Sequence, residues 1–216
     1  MPVLVLATRS AHKLREIRDI LGDCGADLVS LTDRAVEPRA EEDDIECFDS
    51  FAANAIAKAR YFCVRTALPT VADDSGIVVP ALGGAPGVLS RRFAETLRVT
   101  ATEAERDAVN TRLLLERARP LHGDQRRAYY ACAAALALPT ADDGREPAVH
   151  LFAGTCEGVL ADAPRGDHGF GYDPVFLLPG LGLTFGEVEP ALKQRLSHRA
   201  RAFRALAAAL PVFLRT

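Results

Sequence analysis

Residues 68–79 read LPTVADDSGIVV and place two adjacent acids, Asp73 and Asp74, between two apolar runs. Such runs indicate buried strand, and the last side chains of a strand are exposed where the backbone reverses. We expect Asp73 and Asp74 to project at a turn, with Gly76 supplying the backbone freedom that the reversal needs. Neighbouring carboxylates repel each other, which makes a shared cation or water an attractive partner. Taken alone, the pattern also fits a solvated turn without a function.

The composition is that of an ordinary folded protein. The chain has 216 residues, 49% of them hydrophobic and 25% charged, and its formal net charge is −3. This charge provides no overall positive field for a nucleic-acid backbone. There is no basic leader pattern and no apolar run of membrane-spanning length, so we expect a cytoplasmic protein with no nucleic-acid or membrane partner. The five cysteines show no CxxC spacing, which predicts neither a disulfide framework nor a zinc site.

The beginning of the chain has the pattern of an anion site. An apolar run at residues 3–7 predicts a strand, and apolar residues at helical spacing over 14–21 predict a helix that ends at Gly22. Residues 8–13, TRSAHK, lie between them. Free backbone N–H groups at a helix N-terminus attract anions. Lys13 has the wrong sign for the first turn of an isolated helix, which favours a bound anion over a purely structural role.

A second polar pattern enters the next predicted helix. Residues 37–46 are acidic, and apolar residues from 48 to 62 then recur at helical spacing. The polar residues that recur every fourth position on another face are Glu46, Ser50, Asn54 and Lys58. They fit a surface ladder of paired side chains. If this face meets the Asp73 and Asp74 pair, it instead brings a third carboxylate and a second lysine to it.

The middle of the chain predicts further regular structure. Residues 77–82 continue as strand, and a capping box at residues 102–105 begins a helix that runs to about Arg119. Residues 126–138 and 149–158 read as strands separated by the turn-rich segment 139–147, so a hairpin is expected.

Two later motifs carry polar and aromatic groups. Residues 169–174, GFGYDP, alternate glycine with aromatic rings, a pattern that fits either stacking on a flat ligand or a turn that packs its own rings. Ser197 is a suitable N-cap for the last predicted helix. His198 and Arg199 then place donors in its first turn, again the wrong sign for simple capping.

In their order along the chain, these motifs resemble the Ham1/RdgB family of inosine triphosphate pyrophosphatases, and the resemblance runs almost from end to end. The segments that carry it are residues 8–13, Asn54 and Ala55 with Lys58, residues 72–76, residues 81–87, residues 125–129, residues 169–174 and residues 197–199. Several motifs in the right order are more specific than any one of them.

The resemblance implies a fold, an activity and partners. The expected fold is α/β, an elongated central mixed sheet with flanking helices, forming one domain over residues 1–216 with two lobes around an active-site cleft. The expected activity is hydrolysis of non-standard purine nucleoside triphosphates, ITP, dITP, XTP and dXTP, to the monophosphate and pyrophosphate. The resemblance further implies a required Mg²⁺ and a homodimer.

The implied site has four parts. Asp74 is the expected catalytic base, which orients and deprotonates water for attack at the α-phosphorus. The candidate metal ligands are Asp73, Asp74 and Glu46. The candidate triphosphate-binding residues are Thr8, Ser10, Lys13, Lys58 and Ser75. The candidate base-binding residues are Phe170, Gly171, Tyr172, Asp173, Lys193, His198 and Arg199. Which of the two adjacent acids is the base stays open at this point.

The chain departs from the family pattern at a few positions. Arg9 and Ser10 stand where the family usually has Gly-Asn, Ala53 replaces the Glu of Glu-Asn-Ala, and Ala200 replaces a Gly. Two other interpretations remain: a Maf-like pyrophosphatase acting on other modified nucleotides, and a non-catalytic nucleotide-binding module. No GxxxxGK[ST] motif occurs in the sequence, which argues against ordinary P-loop chemistry.

Overall fold

The computed structural model describes residues 1–102, 105–140 and 145–214. Its strands are β1 Val3–Leu6, β2 Asp27–Ser30, β3 Thr70–Val78, β4 Arg127–Leu138, β5 Ala148–Leu160, β6 Phe176–Leu178 and β7 Leu183–Thr184. Its helices are α1 Ala11–Leu21, α2 Phe51–Thr66, α3 Phe93–Thr96, α4 Arg106–Ala118, α5 Pro190–Leu196 and α6 His198–Phe213. Part of the predicted turn segment, residues 141–144, and the two central residues of the predicted capping box, 103–104, lie outside the described residues.

The strands form one mixed sheet in the order β2-β1-β3-β4-β5-β6-β7. Strand β1 pairs in parallel with β2 and β3, with Leu6 opposite Val71 in the second pair. The pairs β5–β6 and β6–β7 are antiparallel. The predicted α/β class with a mixed sheet is therefore confirmed. Strands β4 and β5 are neighbours in the sheet, as the predicted hairpin requires.

The chain divides into two compact units. The first contains residues 1–74, 132–154 and 198–216, and the second contains residues 75–131 and 155–197. Strands β3, β4 and β5 each contribute residues to both units.

Strand alternation builds two cores in the first unit. Leu4, Leu6 and Val71 lie in one buried cluster with residues of α1 and α6. Val5 and Ala72 lie in another cluster with residues of α2. Because successive strand side chains point to opposite faces of a sheet, each strand contributes alternate residues to each core. In the first unit, Val71 on β3 therefore packs towards α1 and α6, whereas the next residue, Ala72, packs towards α2.

The second unit has its own aromatic core. Ile77, Leu114, Phe176 and Phe185 are buried together in it. The Tyr130 ring packs against Phe176 with ring centroids 4.6 Å apart. Tyr130 is therefore a packing residue of this core.

The predicted turn at Asp73 and Asp74 is wrong. Strand β3 runs without interruption from Thr70 to Val78, so both acids lie within it. Gly76 is required for close approach and not for a reversal: a Cβ at Gly76 would lie 2.3 Å from Ser90 Oγ and 2.5 Å from the Gly87 carbonyl oxygen. The next residue, Ile77, donates its N–H to Ser90 Oγ at 3.0 Å.

Two other boundaries differ from the predictions. Helix α2 begins at Phe51, with Ser50 as N-cap accepting from the Ala53 N–H, so Phe48 precedes the helix and is 47% exposed. Strand β3 ends at Val78, because Pro80 has no N–H for a sheet ladder and begins a short 3₁₀ helix instead. Among the described residues, no helix is long and apolar enough to cross a membrane.

Candidate active site

Strand alternation sends the two adjacent acids of β3 to opposite faces of the sheet. Asp73 shares the face of Val71, and its Oδ2 lies 3.2 Å from Lys13 Nζ on α1 and 3.3 Å from Arg199 Nε on α6. Asp74 shares the face of Ala72, and its Oδ2 accepts from Asn54 Nδ2 on α2 at 2.9 Å. The same two-residue motif is therefore split between two environments by the pleat of the strand.

The environment of Asp73 is buried and cationic. Its carboxylate is fully buried, and burial alone would disfavour its charged form. Lys13, Arg199 and Lys58 outweigh burial and hold the pKa of Asp73 well below its usual range. The Cys132 thiol also faces Asp73 Oδ2, at 3.9 Å, and its own pKa is raised by burial and by the Asp73 charge. Asp73 is therefore ionised at neutral pH and acts as the counter-ion of Lys13 and Arg199.

The environment of Asp74 favours proton binding. Burial raises the pKa of Asp74, and the negative charge of Glu46 raises it further. Lys13, Lys58 and the Asn54 amide act in the opposite direction without cancelling the shift. Two neighbouring carboxylates with pKa values displaced in opposite directions can take different chemical roles. Asp74 has the raised pKa that suits a general base.

Asn54 is a residue of the site that was not predicted from the sequence. Its buried amide donates to Asp74 and accepts the Phe48 N–H at 2.9 Å. It also donates to the Phe48 carbonyl oxygen at 3.3 Å. The signal that could have found it is its place in the polar stripe, four residues before Lys58.

The N-terminus of α1 places Lys13 as the sequence predicted. Ser10 is the N-cap, and its Oγ accepts the Lys13 N–H at 3.3 Å, while Thr8 Oγ1 accepts the Ser10 N–H at 3.2 Å. Lys13 lies in the first turn with its side chain 18% exposed. The helix N-terminus, the two hydroxyls and the lysine together provide the donors of an anion site.

The polar stripe of the second predicted helix does meet the pair of acids. Lys58 on α2 forms an ion pair with Glu46, which precedes the helix. Burial opposes the charge of Lys58, but Glu46, Asp73 and Asp74 together raise its pKa. Burial likewise opposes the charge of Glu46, yet Lys58 and Lys13 lower its pKa. The third carboxylate and the second lysine therefore belong to the same electrostatic group as Asp73 and Asp74.

Arg199 is held by two carboxylates. Its guanidinium donates through Nη1 to Glu16 on α1 and through Nε to Asp73, and the residue is only 2% exposed. Burial opposes its charge, but Asp73 and Glu16 raise its pKa further. His198, the preceding residue, is also buried. The donors of Arg199 are thus engaged with the acids of the first unit.

In the second unit, Asp173 organises the glycine-aromatic loop. Its Oδ2 accepts the Phe170 N–H at 2.8 Å and Lys193 Nζ at 2.6 Å. Gly169 has a φ of +78°, and a Cβ there would lie 2.1 Å from Asp173 Oδ2. The Tyr130 hydroxyl donates to Asp173 Oδ1 at 3.4 Å. Asp173 was predicted to bind the base, and its contacts in the structure fasten the loop.

The two rings of this loop are placed differently. Tyr172 is buried, and its hydroxyl donates to the Ser90 carbonyl oxygen at 2.8 Å. Phe170 is half-buried, with Lys193 Nζ lying 5.0 Å from its ring centroid. Gly171 donates its N–H to Asp107 on α4 at 2.9 Å. Phe170 is therefore the ring of this loop with exposed surface for stacking.

The carboxylates of the site fit a Mg²⁺ ion that binds together with phosphate. Mg²⁺ near phosphates is usually held by one or two carboxylates together with phosphate oxygens and waters. Within residues 1–102, 105–140 and 145–214, no group of three or more His, Cys, Asp or Glu side chains forms a ready-made metal site. The Glu46 side chain is 33% exposed, whereas Asp73 is fully buried and Asp74 is 6% exposed. Glu46 and Asp74 fit this mode better than Asp73, which Lys13 and Arg199 already neutralise.

The predicted residues thus fall into two sets. The first unit brings together the polar cluster, which consists of Thr8, Ser10, Lys13, Glu46, Asn54, Lys58, Asp73, Asp74 and Arg199. The second unit brings together Phe170, Asp173 and Lys193 in the glycine-aromatic loop and α5. Ser75 follows Asp74 in β3 and is half-buried.

Lysines, carboxylates and a helix N-terminus around one strand of a mixed α/β fold are the parts of a phosphate-binding site. The chain belongs to the Ham1 family, whose model matches residues 4–209.

Similar proteins are known by sequence and by structure. The chain is 44% identical over 207 residues to a dITP/XTP pyrophosphatase of Burkholderia pseudomallei, covering 96% of this chain and 92% of that protein. It is 43% identical over 203 residues to a dITP/XTP pyrophosphatase of Thermus thermophilus, covering 94% and 89%. A HAM1 protein from Coxiella burnetii has a similar structure, with a TM-score of 0.80, 33% identity, and coverage of 98% of this chain and 100% of that one.

Proposed function

We propose that this chain hydrolyses ITP, dITP, XTP and dXTP to the nucleoside monophosphate and pyrophosphate. The names of its relatives, dITP/XTP pyrophosphatases at 39% to 44% identity over nearly the whole chain, support this activity. The structural observation that carries it is the separation of Asp73 from Asp74 on β3, with Lys13 and Lys58 beside them. Requirement for Mg²⁺ and action as a homodimer are parts of the same proposal that rest on the family resemblance. A cytoplasmic location is proposed with them.

In the proposed reaction, Asp74 takes a proton from water and directs the water oxygen at the α-phosphorus. The bond between the α-phosphorus and its bridging oxygen breaks, and pyrophosphate leaves. Lys13 and Lys58 stabilise the charge that develops on the departing group, and the hydroxyls of Ser10 and Thr8 add neutral donors. Mg²⁺ would supply further neutralisation of phosphate charge, with Glu46 as the more exposed carboxylate to hold it.

Base selection is proposed to depend on the 6-position of the purine. Hypoxanthine and xanthine carry an oxygen acceptor there, whereas adenine carries an amino donor. Lys193, His198 and Arg199 are the proposed donors of hydrogen bonds to this oxygen, an acceptor that adenine does not offer at the same position. Phe170 would stack on the base, a contact worth about 1–3 kcal/mol in other base-binding proteins.

Product analysis tests this function. The chain is incubated with Mg²⁺ and, in separate reactions, ITP, XTP, dITP, GTP and ATP. Monophosphate and pyrophosphate from the inosine and xanthosine nucleotides, with much slower turnover of ATP, are expected. Release of orthophosphate, or binding without turnover, would exclude the proposed reaction. A further reaction contains a modified pyrimidine nucleotide, and a preference for it over ITP would favour the Maf-like alternative.

A further inference from the structure

Three charged residues outside the polar cluster form a separate network, the Arg9 cluster, which consists of Arg9, Glu42 and Arg65. Arg9 donates to both carboxylate oxygens of Glu42, through Nε at 3.1 Å and through Nη2 at 2.9 Å. Arg65 on α2 donates through Nη1 to Glu42 Oε1 at 2.8 Å. The side chains of Arg9, Glu42 and Arg65 are 31%, 13% and 14% exposed. A bidentate contact of this kind fixes the orientation of the carboxylate as well as its distance from the guanidinium group.

The same arginines also bind the backbone of the acidic segment. Arg9 Nη1 donates to the Val36 carbonyl oxygen at 2.8 Å, and Arg65 Nη2 donates to the Glu37 carbonyl oxygen at 3.0 Å. Segment 36–42 is thus held both at its beginning and at its end. The Glu42 carbonyl oxygen accepts the Ile45 N–H at 3.4 Å in the turn that leads to Glu46. Fixing Glu42 therefore fixes the start of the turn that delivers Glu46 to Lys58.

Arg9 lies between Thr8 and Ser10, two of the candidate triphosphate-binding residues. Each of its three guanidinium nitrogens instead donates to Glu42 or to the Val36 carbonyl oxygen. Its guanidinium carbon also lies 5.7 Å from the Phe62 ring centroid. Arg9 is committed to the acidic segment.

We propose that the Arg9 cluster couples the first loop to the segment that carries Glu46, and so positions Glu46 and Lys58 for the metal and triphosphate. Arg9, Glu42 and Arg65 act as positioning residues, because they act through Glu46. A carboxylate that is already held in place loses less freedom when it takes part in binding. This inference rests on the proposed function for its ligand, Mg²⁺ with a nucleoside triphosphate.

The test compares Arg9→Ala with Arg39→Ala. Arg39 is a matched control because it pairs with Glu41 in the same segment, at 3.4 Å, with side chains 58% and 57% exposed. The probe is the α,β-methylene analogue of ITP with Mg²⁺, whose binding is measured by calorimetry without turnover. Removal of a supporting residue behind a metal ligand commonly weakens affinity roughly tenfold or more. Arg9→Ala is therefore expected to weaken Mg²⁺-dependent binding about tenfold, and Arg39→Ala to leave it unchanged.

Hydrogen exchange provides a second readout. In Arg9→Ala the amides of residues 40–46 are expected to exchange faster, while those of α4 keep the wild-type rate. If Arg9→Ala folds poorly by circular dichroism, Glu42→Gln is used instead, since it keeps the side-chain shape and removes the charge. Arg9→Lys can keep only part of the bidentate contact, so its exchange rates and its affinity for the analogue are expected to lie between those of the wild type and Arg9→Ala.

The outcomes separate this inference from the proposed function. If the wild-type chain releases no pyrophosphate from ITP, yet Arg9→Ala speeds exchange in residues 40–46 and weakens binding of the analogue, the positioning role stands and the activity is rejected. If the wild-type chain is active and Arg9→Ala matches Arg39→Ala in both exchange and affinity, the positioning role is overturned.

Discussion

At the scale of single residues, the main result is that Asp73 and Asp74 are chemically different although they are adjacent. Asp73 is buried against Lys13 and Arg199, which lower its pKa. Asp74 is buried beside Asn54, and burial with the Glu46 charge raises its pKa. The sequence left open which of them is the base, and the contacts support Asp74.

Asp74→Asn is expected to lower the turnover of ITP by at least about 100-fold, the low end for loss of a general base. Binding of Mg²⁺ with the α,β-methylene analogue should change far less, because an amide oxygen still fills the position. Steady-state kinetics and calorimetry measure the two quantities. Asp49→Asn, an exposed acid just before α2, is the control and should behave as wild type. Near-normal turnover in Asp74→Asn would remove Asp74 from the role of base.

Asn54→Ala is expected to shift the acid limb of the pH profile of kcat/KM to higher pH. The Asn54 amide lowers the pKa of Asp74 by donating to its carboxylate, so its loss lets that pKa rise further. The lost contacts should also cost about 1–3 kcal/mol of stability. Ser50→Ala removes the N-cap of α2, which costs about 1 kcal/mol, without touching Asp74. An equal stability loss with no pH shift in both variants would contradict the role given to Asn54.

Arg199→Ala distinguishes two roles for this residue. If Arg199 reads the 6-oxygen of the base, the preference for ITP over ATP should narrow. If it acts only as the partner of Asp73 and Glu16, turnover of both nucleotides should fall together and the ratio should stay the same. Arg199→Lys keeps a positive charge near Asp73 and serves as the control. The ratio of kcat/KM for ITP and ATP is the measurement, and an unchanged ratio refutes base reading.

At the scale of secondary structure elements, the position of α6 depends on a glycine in β5. A Cβ at Gly154 would lie 2.2 Å from the His198 carbonyl oxygen and 2.6 Å from the Ala202 backbone nitrogen. These are backbone atoms of the first turns of α6, so they cannot move aside as a side chain would. The approach of β5 to this turn helps to set where the Arg199 guanidinium meets Asp73.

Gly154→Ala is therefore expected to destabilise the protein by about 1–3 kcal/mol, as overpacking commonly does. Turnover should fall as well, because the displaced turn carries His198 and Arg199. Gly180→Ala is the matched control, since no atom lies within 4 Å of a Cβ built at Gly180. Chemical unfolding of both variants measures the difference. A Gly154→Ala protein as stable as the Gly180→Ala protein would show that the strand and helix can separate at little cost.

At the scale of the whole molecule, the two acids give opposite contributions to the pH dependence of stability. The pKa of Asp73 is lower in the folded protein than in the unfolded chain, so its stabilisation is present above the unfolded pKa, about 3.9, and is lost as the pH falls towards the folded pKa. The folded pKa of Asp74 is raised, so its contribution is present below about pH 3.9 and is lost as the pH rises through the folded pKa.

Asp73→Asn should consequently lose stability at neutral pH, by about 3–5 kcal/mol for a broken buried ion pair. The difference from wild type should be constant above about pH 5 and shrink below about pH 4, where wild-type Asp73 begins to lose its advantage. Asp74→Asn should be no less stable than wild type at pH 7, because it removes a buried charge. Urea unfolding across this pH range measures both. If the stability loss in Asp73→Asn persists unchanged at the lowest pH, the changed shape of the side chain, and not the lost charge, is responsible.

Much of the fold was predictable because its signals are local. Helical spacing located α1 and α2 to within a few residues, and Gly22 was correctly predicted to end α1. The order of motifs pointed to the family that the comparisons then established. The errors occurred where a local signal had two meanings. Gly76 looked like a turn residue, but it lies in a continuous strand and is small because Ser90, fourteen positions away, packs against its backbone.

The sequence by itself determined that this protein has two acids flanked by apolar strand, two lysines at helical positions and a family motif order. Only the tertiary structure decided the environment of each acid. The pleat of β3 is local, and it sends Asp73 and Asp74 to opposite faces whatever surrounds them. The side chains that contact the two acids come from helices distant in sequence. They are Lys13 and Arg199 on one face and Asn54 on the other. No local pattern contains that information, because pKa values depend on distances in space.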